Sequence, residues 1–312
     1  KLKDAVKVTV AGRVMLLRDM GKMCFATLQD HTGRLQLLFR EELLGDAAYK
    51  ELLHLLDLGD IIGVTGKRFT TKTGEPTVEV ATWQMLCKAL RQPPEKWHGI
   101  ADQETAWRQR YLELTSKRDV FERFQFRSLF LQKLREFYWS QAFTEVETPV
   151  LVNAASGALA TPFQTHHNAY NIDMFLRIAP ETFLKECLVG GFDRVFEVAR
   201  CFRNEGLDPS HLQDFTMVEH YAAYWDYEAN MKFTEEMFAH LLKELTGSLK
   251  IKIPDREGNL VEVDFTPPWR RMTVLDGLGE AGLPGAGSLD EAALRSEFVR
   301  RGLPIPQPFT WG

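Results

Sequence analysis

The chain has 312 residues, 45% hydrophobic, 26% charged and 11% aromatic, which excludes a disulfide-stapled miniprotein and wholesale disorder; at about 100–200 residues per domain it predicts two domains with real cores. The net charge of -5 argues by itself against a polyanionic partner, yet residues 1–92 hold 14 Lys and Arg against 11 Asp and Glu, and the remainder 24 against 32. A mildly basic module is therefore joined to an acidic one, and only the local field matters to a nucleic acid.

In chain order, Val6–Val14 alternates with period two, Met23–Leu28 follows a turn at Met20-Gly21-Lys22, and Arg34–Phe39 follows a turn at Asp30-His31-Thr32-Gly33, so three strands are expected. A helical piece is predicted near Ala47–Leu56, with Ala48, Leu52, Leu55 and Leu56 at helical spacing, then strands at Asp60–Gly66 and Pro76–Ala81. Five strands with a helix after the third is the order of an OB-fold, though other small barrels give a similar string. Residues 93–110, opened by Pro93-Pro94, are expected to form a linker. One long helix is predicted from Thr105 to about Gln141, with Phe121, Phe124, Leu129, Leu131, Leu134 and Phe137 as its apolar stripe. Strands with antiparallel signals then alternate with helices to about residue 275, without a GxGxxG or GxxxxGK[ST] loop. The tail from Gly277 is Gly- and Pro-rich around one helical segment, Asp290–Arg301. No run approaches about 18 uncharged apolar residues, and Cys24, Cys87, Cys187 and Cys201 form no CxxC pair. A soluble protein with reduced thiols and no membrane contact, cytoplasmic or mitochondrial, is expected.

The densest polar constellation runs from Arg200 to His211 and continues from Asp214 to Tyr221. It reads as strand, loop, strand, with Arg194–Ala199 leading in and Phe215–Tyr221 running back. Residues two apart on a strand share a face, so Arg203 with Glu205, and Phe215 with Glu219 and Tyr221, are expected to point into one site. A guanidinium beside carboxylates and an aromatic ring suits a nucleotide phosphate, a base and a cationic amine; an ordinary ion-paired hairpin has the same spacing. His166 and His167 are adjacent in a predicted strand and face opposite sides, so they are not expected to form a metal pair.

Phe202-Arg203-Asn204-Glu205-Gly206, with His211, Phe215, Glu219 and Tyr221, resembles motif 2 of the class II aminoacyl-tRNA synthetases, and specifically of the subclass IIb lysyl-tRNA synthetases. Phe143–Leu151 looks like motif 1, and the stretches around Thr165–Asn168 and Leu176–Glu181 are similar to those of lysine enzymes. Lys96-Trp97-His98-Gly99 with Gln109–Leu112 resembles their inter-domain linker. The resemblance spans roughly residues 5–275 and implies an α+β chain: an OB-fold anticodon-binding domain (1–92), a linker (93–110) and a class II catalytic domain on an antiparallel sheet (111–312).

That resemblance further implies activation of lysine by ATP with Mg2+, transfer to the 3′ end of tRNA(Lys), and a homodimer through motif 1. It gives Arg203 the α-phosphate of ATP, His211 the γ-phosphate, Phe215 the adenine ring, and Glu205 the adenine amino group or the tRNA terminus. Gly157, Glu181, Glu219 and Tyr221 would surround the lysine, Glu181 on its α-ammonium; here Ser156-Gly157-Ala158 stands where the family has Gly-Gly-Ala. In the barrel, Phe25 and Gln36 would read the anticodon by stacking and by amide contact, with Arg18 or Arg13 beside them. The third class II motif and the acidic metal ligands do not occur up to Gly312, so a C-terminally incomplete synthetase is expected. An aspartyl- or asparaginyl-type synthetase and a non-catalytic tRNA-binding or regulatory fragment remain the alternatives.

Overall fold

The computed structural model describes residues 6–91, 93, 100, 102–206, 208, 211–255 and 257–305; Lys96–Gly99 of the expected linker, and Leu207, Pro209 and Ser210 of the motif 2 loop, lie outside them. Two compact units divide after Arg127. No helix among the described residues is long and apolar enough to cross a membrane.

The first unit is built on a closed five-stranded barrel in the order β1-β2-β3-β5-β4. Its elements are β1 (Val6–Asp19), β2 (Met23–Gln29), β3 (Arg34–Arg40), α1 (Glu41–Leu44), α2 (Asp46–Leu55), β4 (Ile61–Thr70) and β5 (Pro76–Cys87). This is the OB-fold order anticipated from the strand string. β1 continues five residues past its expected end because it serves two neighbours: residues 6–13 pair with β4 and residues 13–19 with β2, across a bulge between Val14 and Leu16. The bulge shifts the inward alternation, which ends the period-two pattern visible in the sequence. Of the expected helical stripe, Leu52 and Leu56 reach the core, together with Tyr49, whereas Leu55 is exposed. Tyr49 sits one turn from Leu52 and takes the core-facing place that spacing gave to Leu55.

Two glycines allow the barrel to close. A Cβ on Gly66 would lie 2.1 Å from the backbone oxygen of Glu79, and one on Gly12 2.7 Å from that of Gln29, so both mark close passage of neighbouring strands. Asp60, fully buried, ties the exit of β5 to the barrel: its carboxylate accepts from the amides of Asp57 and Ala89 at 2.8 and 2.7 Å and pairs with the Lys88 ammonium at 2.9 Å. Burial works against its charge, but these donors prevail and hold the carboxyl below its ordinary value.

The single helix expected from Thr105 to Gln141 is three: α3 (Gln103–Arg108), α4 (Arg110–Ser116) and α5 (Arg118–Ser140). Gln109 and Lys117 leave helical dihedrals although neither is Gly or Pro. The breaks are stabilised by contacts: buried Glu113 is paired with Arg110 and with Lys117, and Ser116 donates to the carbonyls of Leu112 and Glu113. Hydrophobic spacing carries no signal of such pairs. Of the predicted stripe, Leu134 and Phe137 are buried, while Phe124 and Leu129 are exposed.

In the second unit, β6 (Thr144–Glu145), β7 (Leu151–Val152), β8 (Gln164–His167) and β9 (Ile172–Leu176) precede α6 (Glu181–Val189), β10 (Arg194–Phe202) and β11 (Asp214–Ala222). The sheet β11-β10-β6 is mixed: β10 and β11 are antiparallel as expected, but β6 runs parallel to β10. α7 (Tyr227–Thr246) starts on the Asp226 side chain, which accepts from the Ala229 amide, and ends on Gly247 at φ 75°. β12 (Lys250–Pro254) and β13 (Leu260–Asp264) form a hairpin, followed by α8 (Val274–Glu280) and α9 (Glu291–Arg300). α8 was unexpected because Gly277 and Gly279 fall within it; a capping box between Thr273 and Asp276 starts it.

One face of β10 and β11 packs on α5 and α7 through Leu134, Phe137, Tyr138, Phe143, Phe196, Phe233 and Leu241. Tyr138 stacks on Phe196 with centroids 4.4 Å apart. Its hydroxyl lies 2.8 Å from Nδ1 of His220, whose Nε2 lies 2.8 Å from Oδ1 of Asn230. The Asn230 oxygen requires a donor at Nε2, so the neutral ring accepts from the tyrosine. Burial keeps this imidazole's pKa below its usual value.

Gly66→Ala is expected to lower stability by about 1–3 kcal/mol, the range for overpacking a close-fitted site. Urea unfolding followed by circular dichroism checks it; an unchanged midpoint would mean that β4 and β5 can separate without cost.

Candidate functional site

The register of β10 on β11 decides what meets. Val195 opposes Tyr221, Glu197 opposes Glu219 and Cys201 opposes Phe215, and opposed residues share a face. The odd-numbered set therefore lies on one side, and the even-numbered Phe196 and His220 on the core side. Arg203 and Glu205 lie beyond the end of β10 and not within the strand. The amide of Arg203 still donates to the carbonyl of Gln213 at 2.9 Å, and that of Asn204 to Thr161 at 2.8 Å, so the ladder continues one residue past the strand.

Two groups of side chains result. Arg203, Glu205, Gly206, His211, Leu212, Gln213 and Phe215 line a cavity of about 230 Å³. The Arg203 guanidinium stands 5.1 Å from the centroid of Phe215, and its buried Nε has no hydrogen-bond partner among the described residues. His211 is held by Asp208, with Nδ1 2.5 Å from Oδ2. Glu205 accepts from the Thr161 amide at 3.3 Å. A cation beside an aromatic plane, with one guanidinium donor unspent, is chemically suited to a phosphate next to a planar base.

The second group contains Gly157, Glu181, Glu219 and Tyr221. Gly157 has φ 87°, and a Cβ there would stand 2.8 Å from that of Glu181, so only glycine lets the backbone pass this carboxylate. Burial, then the charges of Glu181 and Glu197, raise the pKa of Glu219, while Arg203 and Lys185 pull it down. One oxygen of Glu219, Oε2, is buried and has no hydrogen-bond partner among the described residues. Burial, then the charges of Glu219 and Glu181 and a hydrogen bond with Glu219, push Tyr221 up to about 12. A concentration of partly desolvated negative charge with a spare acceptor fits an ammonium.

Beneath both groups lies a pair that sequence reasoning missed. Arg177 and Glu197 are buried and 2.7 Å apart; Thr148 donates to Glu197 at 2.6 Å, and Arg177 donates to the carbonyls of Thr148 and Arg200. Lys185, also missed, lies 2.5 Å from Glu181. Glu197, a lone carboxylate within an apolar strand, was the visible signal for the first pair; the i,i+4 spacing from Glu181 was the signal for Lys185.

In the barrel, Arg18, Phe25 and Gln36 line one cavity of about 420 Å³ with Thr71, Lys72 and Thr73 of the β4–β5 loop, a loop that spacing did not single out. β2 alternates between buried and half-buried residues, with Phe25 on the half-buried face. Its ring is thus not part of the barrel core. The Gln36 amide donates to Thr77 at 2.9 Å, which orients it. Arg13 is committed elsewhere, to the carbonyl of Gly59 at 2.7 Å.

His166 faces Asp173 at 2.8 Å and His167 packs on Tyr170, so the two rings diverge. Among the described residues no cluster of three or more His, Cys, Asp or Glu could hold a metal ion.

A family model described as tRNA synthetases class II (D, K and N) matches residues 102–300, and one described as an OB-fold nucleic acid binding domain matches residues 8–86. Similar curated proteins, each named lysine--tRNA ligase, come from Aquifex aeolicus (46% identical, covering 88% of this chain and 45% of the relative), Dehalococcoides mccartyi (45%, 100% and 61%) and Clostridium botulinum (46%, 88% and 53%). The chain thus spans about half to three-fifths of the length of these relatives. With the synthetase model covering most of the chain, and the OB-fold match falling on the closed barrel, the chain belongs to the class II tRNA synthetases of the D, K and N group.

Proposed function

We propose that this chain serves lysine activation and the charging of tRNA(Lys). The observation that carries the reading is the face on which the half-buried carboxylates of Glu181 and Glu219 gather with the phenol of Tyr221 beside the Arg203–Phe215 cavity. An aspartyl- or asparaginyl-type pocket would need uncommitted cations among its walls, whereas Arg177 is spent on Glu197 and this face gathers carboxylates. The names of the curated relatives are consistent with lysine.

In this reading the lysine carboxylate attacks the α-phosphorus of ATP and pyrophosphate leaves. The 3′-terminal hydroxyl of the tRNA then attacks the carbonyl carbon of the adenylate and AMP leaves. Arg203 offsets the charge that builds on the phosphate, Phe215 supports the base and Glu181 orients the α-ammonium, so the contribution of these residues is positioning and electrostatics. Magnesium would neutralise phosphate charge when bound. The barrel cavity would take unpaired anticodon bases on Phe25, with Arg18 and Lys72 near the backbone. Exposed Leu129, Phe130, Val150 and Leu151 on α5 and the motif 1 stretch support a homodimer through that region. Four free thiols accord with a reducing compartment, the cytoplasm being the proposed one.

Lysine-dependent ATP–pyrophosphate exchange by this chain tests the assignment. Exchange with aspartate or asparagine alone overturns lysine, and none with any amino acid favours the RNA-binding fragment. Arg203→Ala should cut exchange by about 10²–10³-fold, and near-normal exchange removes Arg203 from the phosphate role. Phe25→Ala should weaken tRNA binding by about 1–3 kcal/mol, read by filter binding; a fall in adenylate formation instead identifies Phe25 as a fold residue.

Glu219 makes a pH-dependent prediction. Its folded pKa lies above the ordinary value near 4.5, so its stabilising contribution is present below that value and is lost as pH rises through the raised one. Glu219→Gln is therefore expected to raise Tm at neutral pH while weakening lysine binding. A lower Tm at neutral pH would show that the ionised carboxylate stabilises the fold.

A further inference from the structure

Lys185 lies one turn beyond Glu181 on α6, with Nζ 2.5 Å from Oε1 of that carboxylate. A surface i,i+4 pair ordinarily engages nothing else. Here the same nitrogen stands 5.7 Å from the ring centroid of Tyr221, and its charge acts on Glu219. Both belong to β11, a different element. The cation therefore faces three of the four side chains and backbone positions assigned above to the amino acid. The fourth, Gly157, lies on the other side of the same carboxylate: a Cβ there would be 3.4 Å from Oε2 of Glu181. Glu181 thus has a glycine backbone near one oxygen and the chain's own exposed ammonium on the other.

This arrangement changes what binding an amino acid involves. Glu181, Glu219 and Glu197 concentrate negative charge, and of the nearby cations Arg177 neutralises Glu197 alone. An ammonium arriving at Glu181 does not create a new ion pair; it exchanges for one that the chain already makes. We propose that Lys185 is the resident counter-cation of the amino-acid pocket, holding Glu181 while the pocket is empty and yielding that carboxylate to the α-ammonium of the incoming amino acid. Lys185 then acts as a specificity-determining residue: it damps affinity for any ammonium, so that an amino acid must also engage the remaining groups of the pocket to displace it. The inference rests on the lysine reading for its ligand, but the displacement itself requires only a cation.

The test is calorimetric titration of the chain with L-lysine and, separately, with n-butylammonium, for the wild type, Lys185→Met and Lys185→Arg. Lys185 is exposed and Met is a good helix former, and matching thermal melts verify the fold. Lys185→Met is expected to bind both amines about two- to fivefold more tightly, the range of a solvent-exposed ion pair, and Lys185→Arg, which restores a cation, to return affinity toward the wild-type value. Unchanged or weaker binding of both amines by Lys185→Met overturns the proposal. If the wild type binds no L-lysine while Lys185→Met still gains affinity for n-butylammonium, the lysine reading falls and the counter-cation stands. If the wild type binds L-lysine and neither affinity rises in Lys185→Met, the counter-cation falls and the lysine reading stands.

Discussion

Nine cross-strand pairs, from Arg194 with Ala222 to Phe202 with Asp214, hold β10 against β11, and a slip of one residue would turn over the faces of one strand against the other. If β11 slipped against β10, Glu219 would enter the aromatic cluster around Tyr138 and Phe233, and His220 would come to the site. Both faces oppose it. On one side, rings of α5 and α7 stack on Phe196 and surround His220; on the other, Arg177 and Thr148 satisfy the only fully buried carboxylate of this pair, Glu197. The groups proposed to meet phosphate and ammonium are therefore positioned by one ladder.

The electrostatics of the second unit follow from that ladder. Register places two carboxylates opposite one another, a destabilising arrangement for like charges on a sheet, and Glu181 on α6 adds a third. Each is compensated differently. Glu197 has Arg177 and is fully paired; Glu181 has Lys185; Glu219 retains one oxygen without a donor. The residual charge thus falls where a cationic ligand can complete it. The nearby guanidinium of Arg203 also keeps a buried donor unspent, so unfilled valences of opposite sign lie on adjoining parts of one surface.

The barrel meets a different constraint. A five-stranded closure needs neighbouring backbones to pass close to one another, which Gly12 and Gly66 permit, and needs β1 to change partners midway, which its bulge permits. Inward positions are filled by other apolar side chains, Phe39 among them, and Phe25 and Gln36 line the outer cavity instead.

Much of this was determined by the sequence alone. Period-two alternation and turn residues gave five strands with a helix after the third, because a half-buried strand must alternate and a turn must contain Gly, Asp or Asn at fixed places. The motif 2 residues read as one face because Phe215, Glu219 and Tyr221 differ by even numbers. Tertiary structure decided what depends on partners distant in the chain: that α3, α4 and α5 are three helices, since Glu113 and its cations stabilise the breaks; that β6 is parallel to β10; that α8 forms despite its glycines; and that Glu197 opposes Glu219. The physical reason is common to these cases. Periodicity records which face of an element is apolar, whereas an ion pair, a register or a cap is a relation between elements, and its energy exists only once the chain has brought them together.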